Sequence, residues 1–361
     1  MSSYSRKNYD IYSVFILKLS LRIGYNRKKV IKEKSKNMSF REWLKQFLPM
    51  SSRSLNKRLT AMEKQLQTLN TNYNELKTLS YNHLDPDLYA HAIKQWYQDI
   101  TGNPLDLENP KTYNEKIQWM KVYDRDPMKT RLVDKYLVRE WIKEKIGEEY
   151  LIQLLGVYHS ADEIDFDALP NSFVLKANHG SRMNYIVQDK SNENFEKIRS
   201  LARGWLHENF TFRYGYEQQY NDIPRRLIVE QYMENMDGDM PDYKFWCFDG
   251  KCKFIEYIKD RRNGGYIVLF DSKWNKLPYT IRPYKNYEND VPMPKSLPEM
   301  IRIAEILADG FPHVRVDLYL LDNGEIKFGE MTFTSRSGTC KWNPPEADLW
   351  VGEMFSLPKA M

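Results

Sequence analysis

Two acids near the end of the chain have the spacing of a divalent-metal site. Asp317 and Glu330 lie in apolar, strand-like stretches that the turn Asn323-Gly324 joins as a hairpin. If those strands pair about that turn, both carboxylates point at one spot, and such oxygen ligands suit Mg²⁺ beside phosphates. Arg315 falls two residues before Asp317, on the same strand face, where it could neutralise a developing phosphate charge. The alternative is an exposed hairpin with scattered charges, which the apolar surroundings of Asp317 disfavour.

Two lysines occupy positions where an amine could meet phosphate. Lys176 ends an apolar strand before a turn in which the amides of Gly180 and Ser181 offer donors to phosphate oxygens, without the Walker spacing. Lys244 lies among aromatic residues on a strand, where an amine is unfavourable unless it contacts an anion. Each has an ordinary alternative: a purely structural turn after Lys176, and an edge strand that turns Lys244 to solvent.

An apolar strand at residues 227–233 ends in an acid and leads into a loop. A strand edge offers one backbone donor and one acceptor, which can pair with the edge of an adenine ring. Glu230 could then hold the amino group or the ribose hydroxyls. Taken alone, the same segment is a core strand with a polar end.

The elements that would position these residues begin near Leu84. Residues 112–146 have few helix breakers apart from Pro127 and predict two helices, and residues 298–308 predict another with Pro298 in its first turn. Eight runs are strand-like, at 172–176, 185–188, 227–232, 243–248, 253–258, 266–270, 314–321 and 326–330. With hairpin turns at Asp249-Gly250 and Asn323-Gly324, the pattern predicts an α+β fold with antiparallel sheets.

Composition excludes several protein classes. The 361 residues contain no run of about 20 uncharged apolar residues, the length that a spanning helix needs. Three cysteines in so long a chain exclude a disulfide scaffold, and no Cys/His spacing fits zinc. The balance of 42% hydrophobic and 29% charged residues predicts a globular protein with one large catalytic unit or two domains.

Charge divides the chain into a basic arm and an acidic body. Residues 1–58 hold fifteen lysines and arginines against three acids, and the remainder has a net charge of −7. An apolar run at 11–23, interrupted by Lys18 and Arg22 and followed by cations, predicts a peripheral anchor on an anionic membrane surface. A disordered basic tail is an equal alternative. Nucleic acid is not expected as a partner, because the arm lacks a recognition motif and the body is acidic.

A heptad pattern occupies residues 55–76. Apolar residues recur there at alternating spacings of four and three: Leu55, Leu59, Met62, Leu66, Leu69, Tyr73 and Leu76. The pattern predicts a short coiled coil and therefore a homo-oligomer. The alternative is a single amphipathic helix packed on the catalytic body.

Six segments taken in order resemble the TupA-like (teichuronopeptide-biosynthesis type) ATP-grasp proteins of bacterial capsule and polysaccharide clusters. They lie between about residues 103 and 345, at 109–119 (NPKTYNEKIQW), 134–136 (DKY), 169–181 (LPNSFVLKANHGS), 229–232 (VEQY), 242–245 (DYKF) and 329–333 (GEMTF). The resemblance implies an ATP-grasp fold of the α+β class, in which two α+β subdomains grip ATP. The heptad pattern predicts a helical, coiled-coil N-terminal region before it.

The charge and heptad patterns before residue 84, together with the resemblance after it, set the expected domain boundaries. A basic amphipathic membrane-associating segment would occupy residues 1–50, a coiled coil 51–82, the ATP-grasp region 83–345 and a tail 346–361. Within the ATP-grasp region, an N-terminal part would span 83–170, the first ATP subdomain 171–235 and the second 236–345.

Site residues follow from the matched segments. The implied nucleotide contacts are Lys135, Lys176, His179, Gly180, Ser181, Glu230, Gln231, Tyr232, Met233 and Lys244, with Glu230 to Met233 as the adenine hinge. The implied Mg²⁺ ligands are Asp317, Glu330 and Thr332, and Thr332 stands where many ATP-grasp enzymes have asparagine. The implied catalytic residues are Arg315, Lys244 and Arg336. Arg182 and Arg336 occupy turns where glycine is expected, and either could clamp an anionic substrate.

The implied activity is that of an ATP-dependent carboxylate–amine ligase. ATP with Mg²⁺ phosphorylates a carboxylate to an acyl phosphate, and an amine then displaces phosphate to form an amide. The expected substrates are a uronic acid of a capsular or O-antigen precursor and an amino acid or other amine. The expected location is the inner face of the bacterial cytoplasmic membrane. A glycosyltransferase of the same pathway, releasing UDP or GDP, and a non-catalytic oligomeric nucleotide-binding protein are the alternatives.

Overall fold

The computed structural model describes residues 57, 60–62, 65, 86–233, 240–260, 264–287 and 289–359. The chain divides into two units, residues 1–70 and 71–361, and the described residues of the first unit are helical. The predicted membrane segment at 1–50 lies outside the described residues, as does the predicted coiled coil apart from the five residues between 57 and 65. No described helix combines the length and the apolar character needed to cross a lipid bilayer.

The second unit mixes helices and strands, as expected. Its described helices are α1 (Pro86–Thr101), α2 (Tyr113–Tyr123), α3 (Pro127–Val133), α4 (Val138–Lys145), α5 (Phe195–His207), α6 (Leu297–Ala308) and α7 (Ala347–Gly352). Its described strands are β1 (Leu154–Tyr158), β2 (Phe173–Ala177), β3 (Asn184–Val187), β4 (Leu227–Gln231), β5 (Asp242–Phe248), β6 (Lys251–Lys259), β7 (Tyr266–Asp271), β8 (Thr280–Arg282), β9 (Lys285–Asn286), β10 (His313–Leu320), β11 (Ile326–Thr332) and β12 (Lys341–Asn343).

The first sheet has four antiparallel strands in the order β1-β4-β2-β3. One face carries alternate apolar residues of β2 and β4, such as Leu175 and Val229, which pack against Ile198 and Ala202 of α5. Since side chains alternate along a strand, Lys176 of β2 and Glu230 of β4 lie on the opposite face.

The second sheet has six strands in the order β11-β10-β5-β6-β7-β9, antiparallel except for the β7–β9 pair. Helix α6 covers one face, where Ile303 packs with Phe245 and Val316. The other face is apolar at one end, where Trp246 and Phe254 pack with α2. At its other end the same face is charged. A two-stranded sheet of β8 and β12 completes the apolar end.

The eight predicted strands are confirmed with small changes at their ends, because alternating patterns and Asp-Gly or Asn-Gly turns specify hairpins locally. Both hairpins are present, β5–β6 and β10–β11. The prediction of two helices between 112 and 146 is wrong. Pro127 does begin a new helix, since it lies in the first turn of α3 with Asp126 as the N-cap. A turn in which Asp134 accepts hydrogen bonds from the amides of Tyr136 and Leu137 then separates α3 from α4, so three helices form. Strands β1, β8, β9 and β12 were not predicted, since they are short or lack alternation.

The segment at 346–361 differs from a tail. Its helix α7 lies in the core beside α2, with Ala347 and Val351 fully buried. Asp348 accepts hydrogen bonds from the backbone and side-chain amides of Asn114, at 3.0 and 2.9 Å. Gly352 packs so closely that a Cβ there would lie 2.1 Å from the carbonyl oxygen of Lys111.

We expect Gly352→Ala to destabilise the protein by about 1–3 kcal/mol, the usual cost of overpacking a core. The added methyl group meets backbone, which cannot move aside as a flexible side chain could. Leu349→Ala, at an exposed position of the same helix, is the control and should change the unfolding free energy little. Chemical denaturation of both variants measures the difference, and equal stabilities would show that α7 does not need this close contact.

Candidate functional site

The charged end of the second sheet is built from a row of directly paired residues. On β10, Asp317 pairs with Lys244 of β5 on one side and with Glu330 of β11 on the other. Paired residues share a face, so all three side chains meet above the sheet. Lys244 is 7% exposed, lies on a central strand and contacts Asp317, which rejects the solvent-facing alternative. The exposed-hairpin alternative for Asp317 also fails, because the side chain is 5% exposed.

Arg315 joins the members of this row. Its Nε and Nη2 atoms donate to the two carboxylate oxygens of Asp317 at 2.6 and 2.8 Å. Nη2 also donates to Glu330 Oε1 at 3.0 Å and to Thr332 Oγ1 at 3.1 Å. Three oxygens from three side chains therefore converge within about hydrogen-bonding distance of one nitrogen, as the hairpin pattern predicts.

The convergent oxygens suit a magnesium ion in kind. Asp317, Glu330 and Thr332 offer two carboxylates and a hydroxyl, the hard oxygen donors that Mg²⁺ takes together with waters and phosphate oxygens. Within the described ranges no three His, Cys, Asp or Glu side chains gather as a complete metal cage. The donor set therefore fits an ion that is shared with a bound phosphate.

Electrostatics hold Asp317 and Arg315 in their charged forms. Burial by itself would raise the pKa of Asp317, but the charges of Arg315 and Lys244 outweigh it and hold that pKa below its usual value. Burial likewise disfavours the charged form of Arg315, but Asp317 reverses the effect and raises the pKa of the guanidinium. These two residues are thus ionised at neutral pH.

A second ion-pair group lies on the first sheet. Lys176 Nζ donates to Glu230 Oε2 at 2.6 Å, and Arg139 of α4 donates to Glu230 Oε1 at 3.0 Å. Lys176 and Glu230 are diagonal neighbours on adjacent strands, since Lys176 pairs with Ile228, two positions before Glu230. The Glu230 carboxylate therefore fixes the position of the Lys176 amine.

Lys135 reaches the same region from the segment between α3 and α4. Its amide donates to the carbonyl oxygen of Asn178 at 3.1 Å, and its amine contacts the carbonyl oxygen of Gly180. The preceding residue, Asp134, accepts a hydrogen bond from the Asn178 side chain at 2.9 Å. It also accepts from the backbone amides of Tyr136 and Leu137, which directly precede α4. These bonds bring the turn after β2 against Lys135.

These groups surround a cavity of about 240 Å³. Its walls include Lys135, Lys176, Gly180, Ser181, Arg182, Glu230, Lys244, Asp317 and Glu330. Arg139, Leu151 and Ile152 line both this cavity and a larger one of about 1340 Å³. Gln231, Tyr232 and Met233 line the larger cavity. The structure thus brings the predicted phosphate lysines, the carboxylates Asp317 and Glu330, and the predicted hinge into two adjoining spaces.

Some predicted site residues do not line the small cavity. Arg315 and Thr332 form hydrogen bonds within the row but are not among the residues that line it. His179 is 2% exposed, and its ring nitrogens lie 3.3 Å from Asn178 Oδ1 and 3.1 Å from the Trp205 carbonyl oxygen. Arg336 donates to Glu256 Oε1 at 2.6 Å. Arg336 and Arg182 have φ of 51° and 61°, the left-handed region that favours glycine.

Sequence reasoning missed Arg139 and Glu256. Glu256 lies on β6 and pairs directly with Lys244 of β5, so it extends the row to a fourth strand. It accepts a hydrogen bond from Trp246 Nε1 at 2.9 Å. An acid inside an apolar strand is the same signal that pointed to Lys244, and it could have found Glu256. Arg139 carries no local signal, because its contact with Glu230 joins residues 91 positions apart.

The sequence comparison identifies the family. The family model described as "TupA-like ATPgrasp" matches residues 115–356. The chain belongs to the TupA-like ATP-grasp family. The match extends past α7 to residue 356, so the family model includes the last helix. No curated protein sequence gives a match.

Solved structures with some similarity include several ligases and a synthetase. An N5-carboxyaminoimidazole ribonucleotide synthetase in its ADP complex is 12% identical with a TM-score of 0.35, and covers 56% of this chain and 45% of its own. D-alanine–D-alanine ligase from Bacillus anthracis with ATP is 15% identical with a TM-score of 0.33, and the match covers 56% of this chain and 54% of that protein. L-amino acid ligase from Bacillus licheniformis is 15% identical with a TM-score of 0.32, and the match covers 57% of this chain and 43% of that protein. The chain therefore spans about half the length of these proteins.

We expect Asp317→Asn to destabilise the protein by about 3–5 kcal/mol, because it removes the charged partner that buried Arg315 and Lys244 share. The control is Asp322→Asn, at an exposed position between β10 and β11. Calorimetric unfolding at pH 7 compares the two variants. Similar loss in both would show that the cluster is not the source of stability.

We expect His179 to make stability fall on acidification. Burial, aided by Arg225 and Lys135, lowers the pKa of His179 to about 4. Between about pH 6.5 and 4 the unfolded chain binds the extra proton, so this residue alone costs about 1.4 kcal/mol for each pH unit below 6.5.

His179→Gln should remove that part of the slope, whereas exposed His159→Gln should keep it. Urea unfolding at pH 7, 6 and 5 measures the slopes. Identical slopes in wild type and His179→Gln would contradict the expectation.

Proposed function

We propose that the chain is an ATP-dependent carboxylate–amine ligase that works through an acyl phosphate. One observation carries the proposal: cations of two sheets line one small cavity together with two convergent carboxylates. Lys176 comes from the first sheet and Lys244 from the second, and Asp317 and Glu330 supply the carboxylates. Arg315 joins those two carboxylates by hydrogen bonds. Membership of an ATP-grasp family supports ATP as the ligand.

Each of the two adjoining cavities binds a different part of the nucleotide. The adenine ring lies in the larger cavity beside Gln231, Tyr232 and Met233, and the triphosphate extends into the smaller one. There Lys135 and Lys176 meet its oxygens. The Glu230 carboxylate orients the Lys176 amine before ATP arrives, which lowers the entropy cost of binding.

Asp317, Glu330 and Thr332 hold Mg²⁺ when the nucleotide is bound. The ion supplies positive charge to the phosphate oxygens and helps to align them. The weak hydroxyl ligand at Thr332 leaves more of the neutralisation to Arg315 and Lys244.

The residues of the cavity act on the reaction mainly by position and charge. An oxygen of the substrate carboxylate attacks the γ-phosphorus, the bond to the bridging oxygen breaks and ADP leaves. Lys244 and Arg315 stabilise the negative charge that spreads over the transferred group. The amine nitrogen then attacks the acyl carbon, phosphate departs with the bonding electrons, and the nitrogen gives up a proton to the departing phosphate. None of these steps needs a covalent protein nucleophile.

We infer further that the carboxylate belongs to a sugar or glycan, a uronic acid of a capsular or O-antigen precursor, and that an amino acid or other amine is joined to it. The support is the polysaccharide-cluster setting that the family resemblance implies. The basic residues 1–58 would hold the enzyme on the inner face of the cytoplasmic membrane, and the heptads at 55–76 would make it a homo-oligomer.

Isothermal titration with ATP or a UDP-sugar, each with Mg²⁺, tests the nucleotide. We expect micromolar binding of ATP, weakened at least about a hundredfold in Lys176→Ala, because a charge-assisted contact to phosphate is worth roughly 3 kcal/mol. Glu330→Gln should weaken binding only when Mg²⁺ is present. The control is Lys197→Ala, at an exposed position of α5.

Hydroxylamine then traps the acyl phosphate as a hydroxamate, with ADP release as the second readout. Formation of a hydroxamate with a uronic acid supports the ligase. Binding of a UDP-sugar with release of UDP would indicate the glycosyltransferase, and nucleotide binding with no turnover over a range of carboxylates and amines would indicate the assembly protein.

A further inference from the structure

A third cavity of about 410 Å³ lies next to the metal-binding row. Its walls include Thr334 and Phe333, directly after β11, together with residues of α2, α3 and the turn at 218–222. Thr334 is two residues beyond Thr332, so their Cα atoms are at most about 7 Å apart. A molecule in this cavity could therefore extend one end toward the site of phosphoryl transfer. The volume falls within the range of about 300–1,000 Å³ of small-molecule sites.

The walls are polar and balanced in charge. Six ionisable side chains line the cavity in equal numbers of acids and bases: Asp124, Asp126, Asp222, Lys121, Arg125 and Lys129. Neutral groups that both donate and accept hydrogen bonds complete the lining, among them Gln218, Gln219 and Thr130. Hydroxyl groups also both donate and accept, so this mixture suits a neutral ligand part that carries several hydroxyls. The Phe333 ring adds an apolar surface.

The polar walls are held in place by buried contacts. Lys129, 6% exposed, forms an ion pair with Asp124 and lies 5.7 Å above the Phe333 ring. Gln219 Nε2 donates to Thr334 Oγ1 at 2.8 Å, and that hydroxyl donates to the buried Glu217. These fixed groups give the cavity a preformed shape, which small-molecule sites require.

Buried Lys121 braces the floor of the cavity. Its amine donates to the carbonyl oxygens of Gly215 and Ser337, each at 2.7 Å. Burial lowers the pKa of Lys121 to about 7, and its hydrogen bonds go to acceptors of the protein itself. With three acids and three bases in its walls, the cavity offers no strong net charge that would select an ionic ligand over a hydroxylated one.

We propose that this cavity binds the polyhydroxylated part of the carboxylate substrate, a sugar ring whose carboxylate points toward Thr332 and the phosphates. The proposal rests on the proposed function and adds to it the place where the acceptor sugar is recognised. Asp222, Gln219 and Asp124 then contact ring hydroxyls, and the Phe333 ring meets the apolar face of the sugar.

Ligand-observed NMR of the full chain, with Mg²⁺ and a non-hydrolysable ATP analogue, tests the cavity. The probes are D-glucuronate, D-glucose and glutarate, a carboxylate without hydroxyls. We expect saturable binding of glucuronate and glucose and weaker binding of glutarate. Asp222→Asn and Gln219→Ala should each weaken glucuronate binding about tenfold, the effect of one lost hydrogen bond of about 1.4 kcal/mol. The matched control is Asp309→Asn, an exposed aspartate outside the cavity.

Each outcome decides the proposal. Glucuronate binding that is about tenfold weaker in both cavity variants, with nucleotide affinity and the control unchanged, supports it. Absence of sugar binding in the wild type, unchanged binding in the variants, or equal binding of glutarate would overturn it. Failure of the ATP analogue to bind by titration counts against the proposed function alone, because glucose binding to the cavity is measured separately.

Discussion

The buried carboxylate of Asp317 is the constraint on which the rest of the site depends. A charge taken out of water is costly unless it is paired and hydrogen-bonded, and Asp317 meets that condition only between Arg315 and Lys244. The partners lie on the same strand and on its neighbour, so the pairing register of β10 and β5 must be the one observed. A slip of one residue would turn Val316 toward the charged row and bury Asp317 under α6.

The same sheet face serves two purposes along its length. At one end Trp246 packs against Phe254, with ring centroids 5.1 Å apart, and against α2. Glu256 accepts the hydrogen bond of the Trp246 indole and pairs with Arg336, so it joins the aromatic end to the charged end. The left-handed turn at Arg336 thus lets a side chain from beyond β11 reach a carboxylate on β6. A rigid apolar end keeps the charged row in position.

The two sheets contribute different parts of the proposed nucleotide site. The first supplies Lys176, already oriented by Glu230, and the second supplies the convergent oxygens with Lys244. In both groups each cation already contacts a carboxylate of the protein. A phosphate that enters the cavity therefore takes the place of a carboxylate beside these cations, and its negative charge is not buried without a partner. Arg139 contacts Glu230 and lines both cavities, which links the hinge side to the phosphate side. The 410 Å³ cavity extends this sequence of sites past the end of β11.

Local pattern was enough to predict much of the catalytic region. Alternation and Asn-Gly or Asp-Gly turns specified the hairpins, and the hairpin β10–β11 by itself brings Asp317 opposite Glu330. Lys244 was found because a charge inside an apolar strand needs a partner, and Glu256 showed the same signal. Tertiary structure alone decided which charges pair across long separations, such as Arg139 with Glu230 and Arg336 with Glu256. It also decided that the last helix enters the core and that a polar cavity forms beyond β11. The physical reason is that strand pairing between neighbours is coded by local alternation, whereas contacts between distant elements depend on how packed faces meet in three dimensions.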